Sequence, residues 1–95
     1  MNIGNAILQC RRRLGLTQTE VAEKAGVSVS YLSLLERGHR QDPSLSTIEG
    51  IAGAMRIPVN ILLFMAAEPR ELGGMSPELV DTLTDAARRL MSDAQ

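Results

Sequence analysis

The segment from Thr17 to Gly38 is punctuated as two short helices with almost nothing between them. Thr17-Gln18-Thr19-Glu20 is a capping-box pattern. In it the threonine hydroxyl accepts from the N–H three residues on, and the glutamate reaches back to the threonine N–H. Gly26 supplies the left-handed residue that stops the helix. Ser28 caps the next helix and Gly38 closes it. Val21, Ala22 and Ala25 form the inward side of the first, and Tyr31, Leu32 and Leu35 that of the second. The join, Ala25-Gly26-Val27, is too tight for an antiparallel hairpin, so the two helices must cross steeply.

Helical patterns also flank this pair, and no strand pattern is visible. Ile3, Ile7, Cys10 and Leu14 mark one face of a helix that Gly15 ends. After a polar loop, His39 to Pro43, Ser44 or Ser46 starts a helix with Leu45, Ile48, Ile51, Ala52 and Met55 facing inward. Gly50 and Gly53 interrupt it, each costing about 1 kcal/mol relative to Ala. Pro58 suits the first turn of a short helix through Phe64. Residues 67–75, with Pro69 and paired Gly73-Gly74, read as a linker. Ser76-Pro77-Glu78 then opens a last helix with a cap, a first-turn proline and an acid at the positive helix end. The expected fold is all-α: a five-helix domain over residues 1–66, the linker, and an appended amphipathic helix over 76–95.

Composition narrows the function. With 95 residues the chain forms one small domain. At 44% hydrophobic and 22% charged it is too apolar to be disordered. The aromatics are Tyr31 and Phe64, too few for stacking several single-stranded bases. One cysteine, Cys10, allows no internal disulfide, and the one histidine, His39, leaves no zinc cluster. No metal or cofactor is expected. An enzyme is the poorer reading, because no nucleophile with its base, phosphate-binding glycine loop or paired carboxylates are recognisable. The apolar run from Ile57 to Ala67 is broken by Pro58 and Asn60, and the N-terminus lacks a secretory pattern, so a cytoplasmic protein without membrane contact is expected. Net charge is −1, divided as +2 over residues 1–65 and −3 over 66–95, so an anionic partner should meet the front.

The steep helix pair is the geometry of a helix-turn-helix, which can put its second helix in a DNA major groove. The residues agree with a known pattern. Arg11, Gly15-Leu16-Thr17-Gln18, Glu20-Val21-Ala22 and Ala25-Gly26-Val27-Ser28 resemble the phage-repressor and Cro-like helix-turn-helix family, the xenobiotic-response-element type. Tyr31-Leu32-Ser33, Leu35-Glu36-Arg37-Gly38, Pro43-Ser44-Leu45 and Thr47-Ile48 continue the match, which covers about two thirds of the chain. The resemblance implies a five-helix double-stranded-DNA-binding domain, a transcriptional regulator working as a homodimer on palindromic operators, with its recognition helix at about residues 28–37.

Carried over by position, the resemblance turns Ser28, Val29, Ser30, Ser33 and Leu34 toward the bases. Helical spacing independently puts Ser30, Ser33, Leu34 and Arg37 on one side, opposite Leu32 and Leu35. This face departs from the usual in having no Arg, Asn or Gln for a bidentate base contact, so much of the specificity is left to DNA shape. Thr17 and Gln18, at the start of their helix, match phosphate-contacting positions, and Arg37, His39, Arg40 and Gln41 surround a loop that meets the backbone. Tyr31 belongs to the core edge, with its hydroxyl in reach of a phosphate. The resemblance also implies a semi-buried ion pair between Arg11 and Glu36.

In the last helix Leu79, Leu83, Ala86 and Leu90 recur at four, three and four, and Val80, Ala87 and Met91 widen the stripe. Asp81, Thr82, Asp85 and Arg89 lie opposite. Such a helix needs a cover: its own domain, a second copy, or another protein. Self-association is the favoured expectation, since a two-fold dimer suits a palindrome. The alternative function is an antitoxin-like protein-interaction module on the same fold, with this helix as its partner segment.

Overall fold

The computed structural model describes residues 1–40, 42–67, 73 and 76–93, the last three as backbone only. Gln41 and most of the expected linker (68–72 and 74–75) lie outside the described residues, as does the side chain of Met91. Among the described residues six helices run in order: α1 Ile3–Arg13, α2 Gln18–Ala25, α3 Val29–Glu36, α4 Leu45–Met55, α5 Val59–Ala66 and α6 Pro77–Asp93. The fold is all-α.

Side-chain caps set most of the starts. Thr17 Oγ1 accepts from the Glu20 N–H at 3.1 Å while Glu20 Oε1 accepts from the Thr17 N–H at 3.0 Å, completing the capping box. Ser28, Ser44 and Ser76 accept in the same way from Tyr31, Thr47 and Leu79. The first four helices share one kind of ending. The N–H just after a left-handed residue bonds back five residues, as in Leu16 to Arg11, Val27 to Ala22, His39 to Leu34 and Ile57 to Ala52. The reversal needs a left-handed residue, which is Gly15, Gly26, Gly38 and, at the end of α4, Arg56 at φ 58°.

α1 packs on α3 and α5, and α2 on α3 and α4. The centre is built from Ile7, Cys10, Val21, Leu32, Leu35, Ile51 and Leu62, all fully buried. Cys10 Sγ lies 3.6 Å from Met65 Sδ, and burial pushes its thiol pKa up, so it is packing rather than a nucleophile. Leu45, expected inward, is instead 59% exposed. It is the first residue of α4, one turn before the buried Ile48, where the core has already ended. Pro58 stands at the cap of α5 rather than within its first turn, and α5 runs on to Ala66. Gly50 fits a close approach: a Cβ there would lie 3.2 Å from the Ala25 carbonyl oxygen of α2.

α6 lies against α5. Ala87 is buried, Val80, Leu83, Ala86 and Leu90 are half-buried, and Leu79 remains 46% exposed. The chain's own α5 thus provides part of the cover the stripe requires. Among the described residues no single helix is long and apolar enough to cross a membrane.

Candidate nucleic-acid interface

The interface starts from how α3 is anchored. Leu32 and Leu35 are completely buried, which fixes the rotation of the helix about its axis. Ser28, Val29 and Ser30 are then exposed, Val29 at 40%, and Ser33 and Leu34 are half-buried beside them. The Ser28 hydroxyl accepts from the Tyr31 N–H at 3.0 Å, so as a cap its oxygen is committed while its proton remains to be donated. Tyr31 is half-buried and packs against the core. Arg37, His39 and Arg40 are all exposed around the exit of α3, and Arg37 Nε lies 3.4 Å from its own helix's Ser33 carbonyl.

Beneath this surface lies Glu36, the buried charged residue among those described, its side chain 2% exposed. Arg11 of α1 meets it side-on: Nε donates to Oε2 at 2.7 Å and Nη2 to Oε1 at 2.9 Å. A third Arg11 donor, Nη1, reaches the Leu16 carbonyl at 3.0 Å in the turn between α1 and α2. The bond to Glu36 raises the guanidinium pKa further above its ordinary value. Among the described residues no buried side-chain nitrogen or oxygen lacks a partner. The pair therefore joins α1, α3 and the entry to α2 with its polar atoms satisfied, the condition under which a buried ion pair is tolerated.

Gln18, assigned from sequence only to the outer surface, also faces inward: its Nε2 donates to Glu36 Oε1 at 3.0 Å. This bond brings the start of α2 beside the end of α3, so Thr17, Gln18 and Arg37 are near one another. The spacing of Gln18 and Glu36 carries no local signal of the contact. Only the crossing angle of the two helices creates it. Thr17 donates its N–H to Glu20, which holds that exposed carboxyl below its usual pKa.

Comparison with known proteins places this arrangement. The profile of a family described as helix-turn-helix matches residues 7–62. The chain is 46% identical over 63 residues to the immunity repressor protein of Bacillus phage phi105, covering 66% of this chain and 43% of that protein. It is 34% identical over 93 residues to the HTH-type transcriptional regulator SinR of Bacillus licheniformis, covering 98% of this chain and 84% of that protein. The solved SinR protein/SinI protein complex is similar with a TM-score of 0.60 at 29% identity, covering 95% of this chain and 98% of that one. The chain belongs to the phage-repressor and Cro-like helix-turn-helix family of DNA-binding transcriptional regulators.

Proposed function

We propose that this chain regulates transcription as a homodimer on a palindromic operator, with α3 in the major groove. The observation that carries the reading is the division of α3 into a fully buried side, Leu32 and Leu35, and an outer side led by Val29 and Ser30. Ser28, Ser30 and Ser33 exchange hydrogen bonds with base edges, and Val29 and Leu34 offer apolar contact to thymine methyls. Thr17, Gln18 and Tyr31, together with Arg37, His39, Arg40 and Gln41, hold the phosphates. Residues 1–66 form the DNA-binding unit, and the stripe from Leu79 to Met91 on α6 pairs the two copies. A footprint on the intergenic DNA beside the gene tests this. Protected half-sites with centres about 10 base pairs apart, or a related spacing, are expected. Absence of duplex binding at low salt removes the reading.

A protein-interaction role is the second reading. It is favoured by the exposure of Leu79 at one end of the α6 stripe and by the similar SinR structure being a complex with SinI. Here α6 binds another protein. Co-expression with the product of the neighbouring gene, followed by purification, separates the two: a stoichiometric complex lacking DNA affinity favours this role.

A further inference from the structure

We propose that the two copies of α6 pair antiparallel, with Leu83 at the two-fold axis and Arg89 of each copy against Glu78 of the other. The inference deepens the proposed function and rests on its reading of α6 as the homodimer element. α6 already has one cover: it lies against α5, and among its described side chains Ala87 is the buried one. The stripe is open on its other side, along the line of Leu79, which is 46% exposed, and Ala86 one heptad further on. At about 100° per residue this open line has two unlike flanks. Leu83 and Leu90, both half-buried, run along one of them. Glu78, Thr82, Asp85 and Arg89, all exposed, run along the other. Two-fold pairing of helices admits two arrangements. In a parallel pair opposite flanks meet, so the charged flank of each helix would face the leucines of the other, which is unfavourable. In an antiparallel pair each flank meets its own kind, leucine on leucine and polar on polar. Charge then sets the register. Asp85 is engaged with Arg88 of its own helix at 3.4 Å, whereas among the described residues Glu78 and Arg89 have no ion pair within the chain. These two stand about 16 Å apart along the helix axis, too far to meet each other or, in a parallel pair, their opposites. Antiparallel pairing brings each to its opposite on the second copy, at both ends of the interface at once. The same register sets Leu83 beside its twin and seats the exposed Leu79 between Ala86 and Leu90 of the second copy.

The test is self-association of the full chain by sedimentation equilibrium, each variant first checked for helicity by circular dichroism. Glu78→Arg or Arg89→Glu alone sets like charges together at both ends of the dimer. Each raises the dissociation constant on the order of tenfold, since exposed pairs contribute modestly. The double variant, Glu78→Arg with Arg89→Glu, returns it to within about threefold of wild type. Glu78→Arg also opposes the dipole of α6, an effect the double variant retains, so recovery reports pairing. A double variant as weak as the two losses combined overturns the antiparallel arrangement while leaving the homodimer intact. Single variants that associate as tightly as wild type take the interface off this flank and overturn the proposal as well. Cross-linking gives a second readout. Cys10 is completely buried, so the wild-type chain is the unlinked control. On oxidation Leu83→Cys links the two copies, whereas Leu79→Cys does not, because its twin lies about 13 Å away along the axis, beyond the reach of a disulfide. Copies linked through position 79 overturn the proposal. A wild-type chain that stays monomeric at every concentration overturns the homodimer reading, and the proposal with it.

Discussion

Gly4 of α1 lies directly against the backbone of Leu35 in α3, so close that a Cβ on residue 4 would collide with the Leu35 carbonyl oxygen. The glycine lets the two helix backbones touch where α3 leaves the core. Because the obstruction is backbone, it cannot yield by a rotamer change, and Gly4→Ala is expected to destabilise the fold by about 1–3 kcal/mol. Gly53 is the control. A Cβ there meets nothing within 4 Å, so Gly53→Ala should stabilise by about 0.5–1 kcal/mol through helix propensity. Chemical denaturation of the two variants checks the opposite signs.

The ion pair predicts an asymmetry among three adjacent arginines. Arg11→Ala strands the Glu36 carboxylate in the core and should cost about 3–5 kcal/mol. Arg12 is exposed and so is Arg13, and each should cost at most about 1 kcal/mol on replacement by Ala, the range for interactions of exposed charges. Equal melting temperatures for the three variants would refute the structural importance of the pair.

Helix ends were the most legible feature of the sequence, because caps are local chemistry. Thr17, Ser28 and Ser76 each bond three residues ahead, and Gly15, Gly26 and Gly38 each reverse the chain beside them. What the sequence concealed depends on residues far apart. The need for Gly4 is dictated by Leu35, the inward turn of Gln18 by Glu36, and the exposure of Leu45 by where the core stops. Arg56 is the local exception: it takes the left-handed position that glycine normally announces, so the end of α4 carried no marker. The rotation of α3 was readable from Leu32 and Leu35 alone. The contact between α5 and α6 was not, since an amphipathic stripe shows that a cover is needed without specifying which one.

The capping box makes helix α2 sensitive to acid. Hydrogen bonds from Thr17 lower the folded-state pKa of Glu20. A lowered carboxylate pKa contributes stability above the unfolded value, about 4.3 for glutamate, and loses it as pH falls through the folded value. Relative to Glu20→Ala, the wild-type chain should be more stable at neutral pH, and the difference should shrink as pH drops below about 4. Urea denaturation of both proteins across this range is the check; a difference independent of pH would show that the carboxylate contributes nothing through its charge.

Specificity and affinity should separate by residue. Arg37→Ala removes a charge at the exit of α3, so it should weaken all duplexes alike and reduce the salt slope by about 1. Ser30→Ala or Ser33→Ala leaves the slope unchanged and should alter sequence preference, by about 1–3 kcal/mol at the affected base pair. Selection from a randomised duplex pool, with titrations at several salt concentrations, measures both. If Arg37→Ala redirects sequence preference instead, the base-facing side of α3 has been misassigned.

The remaining prediction concerns which surface covers α6. α6 lies against α5 of the same chain; along its stripe Ala87 is buried and Val80, Leu83, Ala86 and Leu90 are half-buried, yet Leu79 stays 46% exposed. Leu79 is therefore the position where cover from within and cover by a second copy differ. If the second copy completes the burial, Leu79→Ala should weaken dimerisation by about 1–3 kcal/mol, with little effect on the stability of the single chain. Ala87→Asp should impair both, since it puts a charge beneath α6 whichever surface lies over it. A chain ending at Gly74 should be monomeric, bind its operator more weakly and keep the fold of residues 1–66, as α1 to α5 contain the buried centre formed by Ile7, Leu32, Ile51 and Leu62. Sedimentation equilibrium of the three proteins decides the matter. A truncated chain that remains a tight dimer would move the interface to α5, around Ile61 and Phe64.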